Sequence, residues 1–232
     1  MRHPAPRSSA ARGGLTLLAM LALTPCAAQV SGTAALTSDY VWRGASQTLE
    51  DPAAQAGLRV DHRTGLYASA WGSNVRFAPD GGPAREFDLA VGWGAAVAPD
   101  WALDVGVVRY LYPGAGDLNW NELSAGVTWR DAVSLTVGWS DDALAGGADG
   151  TYVAFALSRP VTENVRIEAS VARYLLDASV VESYTHGSLG VVWAFKAPFA
   201  LRAMLHATDA AARRNFPGAA GTRPEIAIHA DF

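Results

Sequence analysis

The sequence predicts an all-β fold, a transmembrane up-and-down antiparallel β-barrel of about 12 strands. Three observations point to it. Apolar and polar residues alternate with a period of two through most of the chain, the connections between these runs are short and long by turns, and aromatic residues gather at the ends of the runs.

The elements follow in order. Arg2, Arg7 and Arg12 precede an apolar run from Leu15 to Leu23 and then Cys26, Ala27 and Ala28, so residues 1–28 are expected to be a cleaved signal peptide and 29–232 the barrel. The apolar run is about half of the roughly 20 residues a spanning helix needs. Cys26 raises the alternative of lipidation, but Pro25 stands where a lipobox has Gly or Ala. A cut after Ala28 leaves no cysteine, hence no disulfide or thiol nucleophile. The formal charge, −4 from 18 basic and 22 acidic residues, becomes −7 with the loss of those three Arg and no acid. That acidic balance argues against nucleic acid as a partner.

Alternating runs place strands at 31–43, 53–62, 65–76, 85–97, 101–111, 119–130, 132–140, 150–159, 164–175, 185–196, 198–207 and 223–232. Leu123, Ala125, Val127 and Trp129 against Glu122, Ser124, Gly126 and Thr128 show the pattern: one apolar face, one polar and small. In 65–76, with Tyr67 and Trp71 on one face and Leu66 and Ala68 on the other, the orientation stays open. Every second turn is tight, and the others are longer, the arrangement of an outer-membrane barrel with its short turns in the periplasm.

A soluble sandwich would also alternate, so volume decides. A barrel of about eight strands can be filled by side chains, whereas a wider one leaves a space that Val and Leu cannot pack. The apolar face of a twelve-stranded barrel therefore points outward, to outer-membrane lipid. Tyr40, Trp42 and Trp139 are expected at the long-loop rim, with Trp101, Trp129, Trp193, Phe195, Phe199 and Phe232 at the short-turn rim, as two interfacial girdles. Asp39, Arg59, Asp61, Glu86, Asp88, Asp104, Glu122, Arg166, Glu168, Arg202, His206, Glu225 and His229 share the opposite parity and are candidates for lining the lumen. Arg173 shares the parity of outward Val171 and is expected to snorkel from near the rim.

The run Ser38-Asp39-Tyr40-Val41-Trp42-Arg43-Gly44-Ala45-Ser46-Gln47-Thr48, followed by Asp51-Pro52, Gln55, Gly65-Leu66-Tyr67-Ala68 and Trp71-Gly72-Ser73-Asn74-Val75, resembles the TorF family of porins. Glu86-Phe87-Asp88, Asp104-Val105-Gly106, Tyr110-Leu111-Tyr112-Pro113-Gly114 and Asn119-Trp120-Asn121-Glu122 extend the likeness, which covers about residues 31–142. Trp42 and Trp120 stand where relatives are expected to carry Phe or Tyr. The resemblance implies a bacterial, Gram-negative outer-membrane location and a pore-like role, without a substrate.

The mature chain has no nucleotide-binding glycine motif, zinc spacing or histidine pair at i and i+4, and no cofactor is expected. A Ser-His-acid site could be drawn from Ser170 or Ser188 with His206, the basis of an alternative reading as a lipid-active enzyme. The inward charges admit two readings, a water-filled channel or a closed lumen in which they pair. Their excess of acids would give an open pore a cation preference. The loop 208–222, with Arg213, Arg214, Asn215 and Phe216, could fold inward as a constriction or remain a rim. The leading expectation is a porin passing ions or small hydrophilic solutes. A non-conducting barrel whose long loops hold a surface partner is the third reading. The final apolar row ends in Phe232, which looks like the signal that the barrel-assembly machinery reads. Oligomeric state is not legible.

Overall fold

The computed structural model describes residues 28–77 and 82–232. The expected signal segment lies outside the described residues apart from Ala28, which opens the first strand. In chain order the elements are β1 (Ala28–Thr37), β2 (Val41–Trp42), β3 (Ala45–Ser46), β4 (Ala53–His62), β5 (Leu66–Asn74), β6 (Arg85–Ala98), β7 (Trp101–Leu111), β8 (Trp120–Trp129), β9 (Val133–Ser140), β10 (Gly150–Pro160), β11 (Val165–Leu176), β12 (Tyr184–Lys196), β13 (Phe199–Thr208), α1 (Ala210–Asn215) and β14 (Arg223–Asp231). All the strands except β2 and β3 form one closed antiparallel barrel of 12 strands in which each pairs with its sequence neighbours. Strand β14 returns to β1, with Thr33 opposite Asp231 and Thr37 opposite Ala227. Closure leaves no unpaired edge, the condition for a sheet in lipid.

Alternation explains the faces. Leu58, Leu89, Val91, Val107, Leu123, Leu135, Phe155, Val171, Leu189, Leu205 and Ile228 are all exposed on the outside. Such an apolar belt around a closed barrel is a lipid-facing surface. Strand β5 takes the same orientation, with Leu66 exposed outside and Tyr67 turned inward to hydrogen-bond Asp104. Arg173 lies outside, three residues from the end of β11, donates to Thr185 Oγ1 at 2.9 Å and sits 3.7 Å from Asp209. Trp101, Trp129, Trp193, Phe195, Phe199 and Phe232 are exposed near the short-turn end, and Trp139 at the other.

The structure corrects the first strand. A strand over 31–43 is expected from the sequence, yet β1 ends at Thr37. There the side chain of Asp39 accepts hydrogen bonds from Ser46 Oγ (2.5 Å) and Thr48 Oγ1 (3.0 Å), which folds the chain back on itself. Tyr40 and Trp42 are therefore not rim aromatics. Tyr40 is buried with Val75, Tyr110, Tyr112 and Trp120 in an aromatic cluster inside the long-loop half, and Trp42 packs against it. A second cluster, Ala143, Tyr174, Tyr184 and Ala212, adjoins it.

Candidate functional site

The segment between β1 and β4 enters the lumen because it carries its own fold. Strands β2 and β3 form a hairpin with Val41 opposite Ser46 and Trp42 opposite Ala45. Its two turn residues, Arg43 (φ 46°) and Gly44 (φ 84°), both have positive φ, as a tight I′-like hairpin requires. Gly44 is also needed for space, since a Cβ there would lie 2.7 Å from side-chain atoms of His186 and Thr208. The turn aims Arg43 at the far wall.

There Arg43 Nη2 donates to both oxygens of Glu122, at 2.6 and 2.8 Å. Both side chains are buried, at 9% and 6% exposure. The guanidinium carbon lies 4.3, 3.9 and 4.8 Å from the ring centres of Trp42, Tyr152 and Tyr174, so aromatic faces replace much of the water the cation has lost. At the other end of the loop, Arg223 Nη1 lies 3.3 Å from Asp39 Oδ2 and 3.4 Å from Glu50 Oε1. Aromatic packing fills the gap between these ties: Trp42 meets Tyr110 and Trp120 edge-on at 5.9 and 6.2 Å, and Tyr110 stacks on Trp120 at 4.3 Å. The blocks around residues 38–48 and 110–122, which carry the family resemblance, are thus packed against each other.

The loop 208–222 does not act alone as the constriction. It forms α1 and covers the hairpin from above: Ser46 N donates to Ala219 O at 2.8 Å, Ala45 pairs with Ala220, and Arg223 Nη2 donates to Gly218 O. Asp209 caps α1 by accepting from Ala212 N (2.9 Å) and also accepts from Thr185 N (2.8 Å). Burial works against its charge, but these backbone bonds win and hold its pKa below the usual carboxylate value. Glu182, hydrogen-bonded by Arg214, is lowered likewise.

Below the plug the lumen holds two cavities bordered by small and polar residues. Gly94, Ala102, Asp104, Ser124, Gly126, Thr128, Ser134 and Thr136 border a cavity of about 470 Å³. A second, of about 300 Å³, reaches the short turn at Asp131 and is bordered by Glu168, Ser170, Ser188 and Arg202. On the charged wall the ions form a chain: Arg166 with Glu168 at 2.8 Å, Arg202 with Glu168 at 3.4 Å and Glu225 at 3.3 Å, and His206 with Glu225 at 2.7 Å. Arg59 pairs with Asp61 at 2.9 Å and lies 3.6 Å over the Tyr67 ring, whose hydroxyl donates to Asp104. Glu86 accepts from the Tyr112 hydroxyl at 2.8 Å. Glu86 Oε2, Asp88 Oδ1 and His229 Nε2 are buried without a partner among the described residues.

The sequence candidates therefore fall into two groups. Asp39, Glu86, Asp88 and Glu122 lie around the plug, while Arg59, Asp61, Asp104, Arg166, Glu168, Arg202, His206, Glu225 and His229 lie along the wall of the barrel. Arg43, Tyr152, Tyr174 and Arg223 were missed. Arg223 shares the parity of Glu225, and Arg43 that of Asp39 in the expected strand 31–43, so both could have been found by it. Ser170 and Ser188 hydrogen-bond each other at 2.8 Å, and Ser188 is the cross-strand neighbour of His206, whose Nε2 is taken by Glu225. This row faces the lumen rather than the lipid. Among the described residues no group of three or more His, Cys, Asp or Glu is placed to hold a metal.

A family model described as "Bacterial protein of unknown function (Gcw_chp)" matches residues 22–226. No curated protein matches the chain in sequence. Among solved structures it is similar to the KdgM porin, with a TM-score of 0.55 at 6% identity over 88% of this chain and 98% of that one. It is similar to the NanC porin with a TM-score of 0.55 at 10% identity, over 88% and 99% of the two chains. At such identities the likeness is one of fold.

Proposed function

The chain belongs to the Gcw_chp family, and we propose that it is a porin of the bacterial outer membrane, a passive pore for ions or small hydrophilic solutes whose outer half is shut by residues 38–52. The observation that carries this reading is the contrast within one lumen. Its short-turn half holds cavities bordered by small and polar residues, and its long-loop half is crossed by a segment fastened to the wall through two buried ion pairs. A barrel meant only as a closed scaffold gains nothing from an unfilled polar vestibule, because each polar group there still has to be hydrated or paired. The fold shared with two porins supports the same reading. The likeness to the TorF porins stands beside it as a resemblance carried by residues 31–142.

In this reading residues 1–28 direct export, the apolar belt meets outer-membrane lipid, the short turns face the periplasm, and Phe232 is the residue offered to the barrel-assembly machinery. The named wall residues line the solute path, and their carboxylates outnumber their arginines, which favours cations. The lipid-active alternative loses ground because the Ser170, Ser188 and His206 row points into the lumen, where an acyl chain would have to leave the bilayer to reach it.

Single-channel recording of the refolded protein in a planar bilayer, with reversal potential measured across a salt gradient, tests the proposal. Brief or small openings in the wild type and larger, cation-preferring ones after Glu122→Ala are expected. A folded barrel that stays silent in both forms would sink the pore reading and favour the surface-partner alternative.

A further inference from the structure

Arg43 occupies a site most of which belongs to the wall. Glu122 stands on β8, Tyr152 on β10 and Tyr174 on β11, and only Arg43 and Trp42 arrive with the loop. The wall components are held in shape by contacts in which Arg43 has no part. The Tyr152 hydroxyl bonds His186 Nε2 at 3.0 Å and its ring stacks on the imidazole at an interplanar angle of 13°. Tyr174 packs on Tyr184 with ring centres 5.9 Å apart. The Glu122 carboxylate rests against Gly138, where a Cβ would fall 2.7 Å from its carboxyl carbon. A carboxylate beside a corner of two aromatic rings, set at 77° to each other with ring centres 3.9 and 4.8 Å from the cation, is the chemistry that recognises an organic cation, through charge-assisted hydrogen bonds to the carboxylate and cation–π contact with the rings.

The tethered occupant fits this site incompletely. Arg43 Nη1 is buried with no partner among the described residues, and its backbone is held in the left-handed region. Beneath it, the inward positions next along the same wall are Ser124, Thr136, Ala154 and Ala172, small residues that lead to the vestibule.

We propose that Glu122, Tyr152 and Tyr174 form a binding site for guanidinium-type organic cations, and that Arg43 is its built-in competitor. A solute bearing a free guanidinium takes over the carboxylate and the rings and thereby releases the loop from the wall. The transport meaning of this site rests on the pore reading, but the binding does not.

The test is titration calorimetry of the refolded barrel with methylguanidinium, using methylurea as the neutral isostere, alongside bilayer conductance. Arg43→Ala vacates the site, and Arg43→Gln serves where the alanine variant does not refold to a heat-modifiable barrel. One methylguanidinium per barrel is expected in these variants, at least about tenfold tighter than in the wild type, where the site is mostly occupied by Arg43. Methylurea should give no binding heat, and adding Glu122→Gln should abolish the methylguanidinium heat. Equal heats from the two probes, or binding that survives Glu122→Gln, would overturn the proposal. Selective binding to a barrel that conducts in no variant leaves the cation site standing and removes the pore reading; conductance without selective binding does the reverse.

Discussion

Glu122 and Arg43 come from segments 79 positions apart and meet with both side chains buried. Taking two charges out of water is costly, and the cost is recovered only when geometry and extra contacts are good. Here one nitrogen, Nη2, donates to both carboxylate oxygens and three rings flank the cation. Removing one partner leaves the other buried and uncompensated. Glu122→Ala is therefore expected to lower the unfolding free energy by about 3–5 kcal/mol, read from urea-induced unfolding in lipid vesicles. Loss of stability without any change in conductance would separate the ion pair from the closing of the lumen.

At the scale of elements, the plug is a hairpin with two anchors and a cover. Its turn carries Arg43, its base is tied through Asp39 to Arg223, and α1 with the chain up to Ala220 lies over it. The cover depends on Asp209, the N-cap of α1. Loss of such a cap typically costs about 0.5–2 kcal/mol, and here it also removes the bond to Thr185 N. Asp209→Ala should reduce hydrogen-exchange protection over residues 210–216 while leaving the barrel strands as they were. The pH dependence has a definite sign. Since the folded pKa of Asp209 is depressed, its contribution is complete above the ordinary carboxylate value and disappears as pH falls through the lower folded value. Protection over 210–216 is thus expected to be flat from neutral pH to about pH 5 and to fall below about pH 4. A change between pH 6 and 7 would assign it to another group.

For the whole molecule, closure of the barrel is the decisive event, and its seam is its shortest ladder. Strand β1 pairs with β4 from Ala28 to Thr37, but with β14 only from Thr33 to Thr37. Phe232 extends that seam: it exchanges backbone hydrogen bonds with Gly32, at 2.6 and 3.0 Å, and its ring lies over Gly32 on the outer face. Deleting Phe232 is expected to lower the yield of heat-modifiable barrel in the outer membrane. Normal yield of the truncated protein would mean that Thr33 to Thr37 suffice for closure and that the assembly machinery reads another feature.

The barrel was legible in the order of residues alone, because side chains on a strand alternate strictly and an apolar row cannot be hidden inside so wide a cylinder. Strand after strand from 53–62 onward, the order of long and short connections, and the parity of Arg59, Glu122 or Glu225 were all legible in this way. What local pattern could not carry was the fate of residues 38–52. Alternation through Tyr40 and Trp42 reads as more strand, yet Asp39 finds its partners in Ser46, Thr48 and Arg223, and Arg43 finds Glu122 across the barrel. Those partners are adjacent only once the cylinder has closed. Which inward charge finds which partner was thus decided by tertiary structure alone, which packs aromatic rings around the hairpin in one half of the lumen and leaves cavities beside a chain of ion pairs in the other.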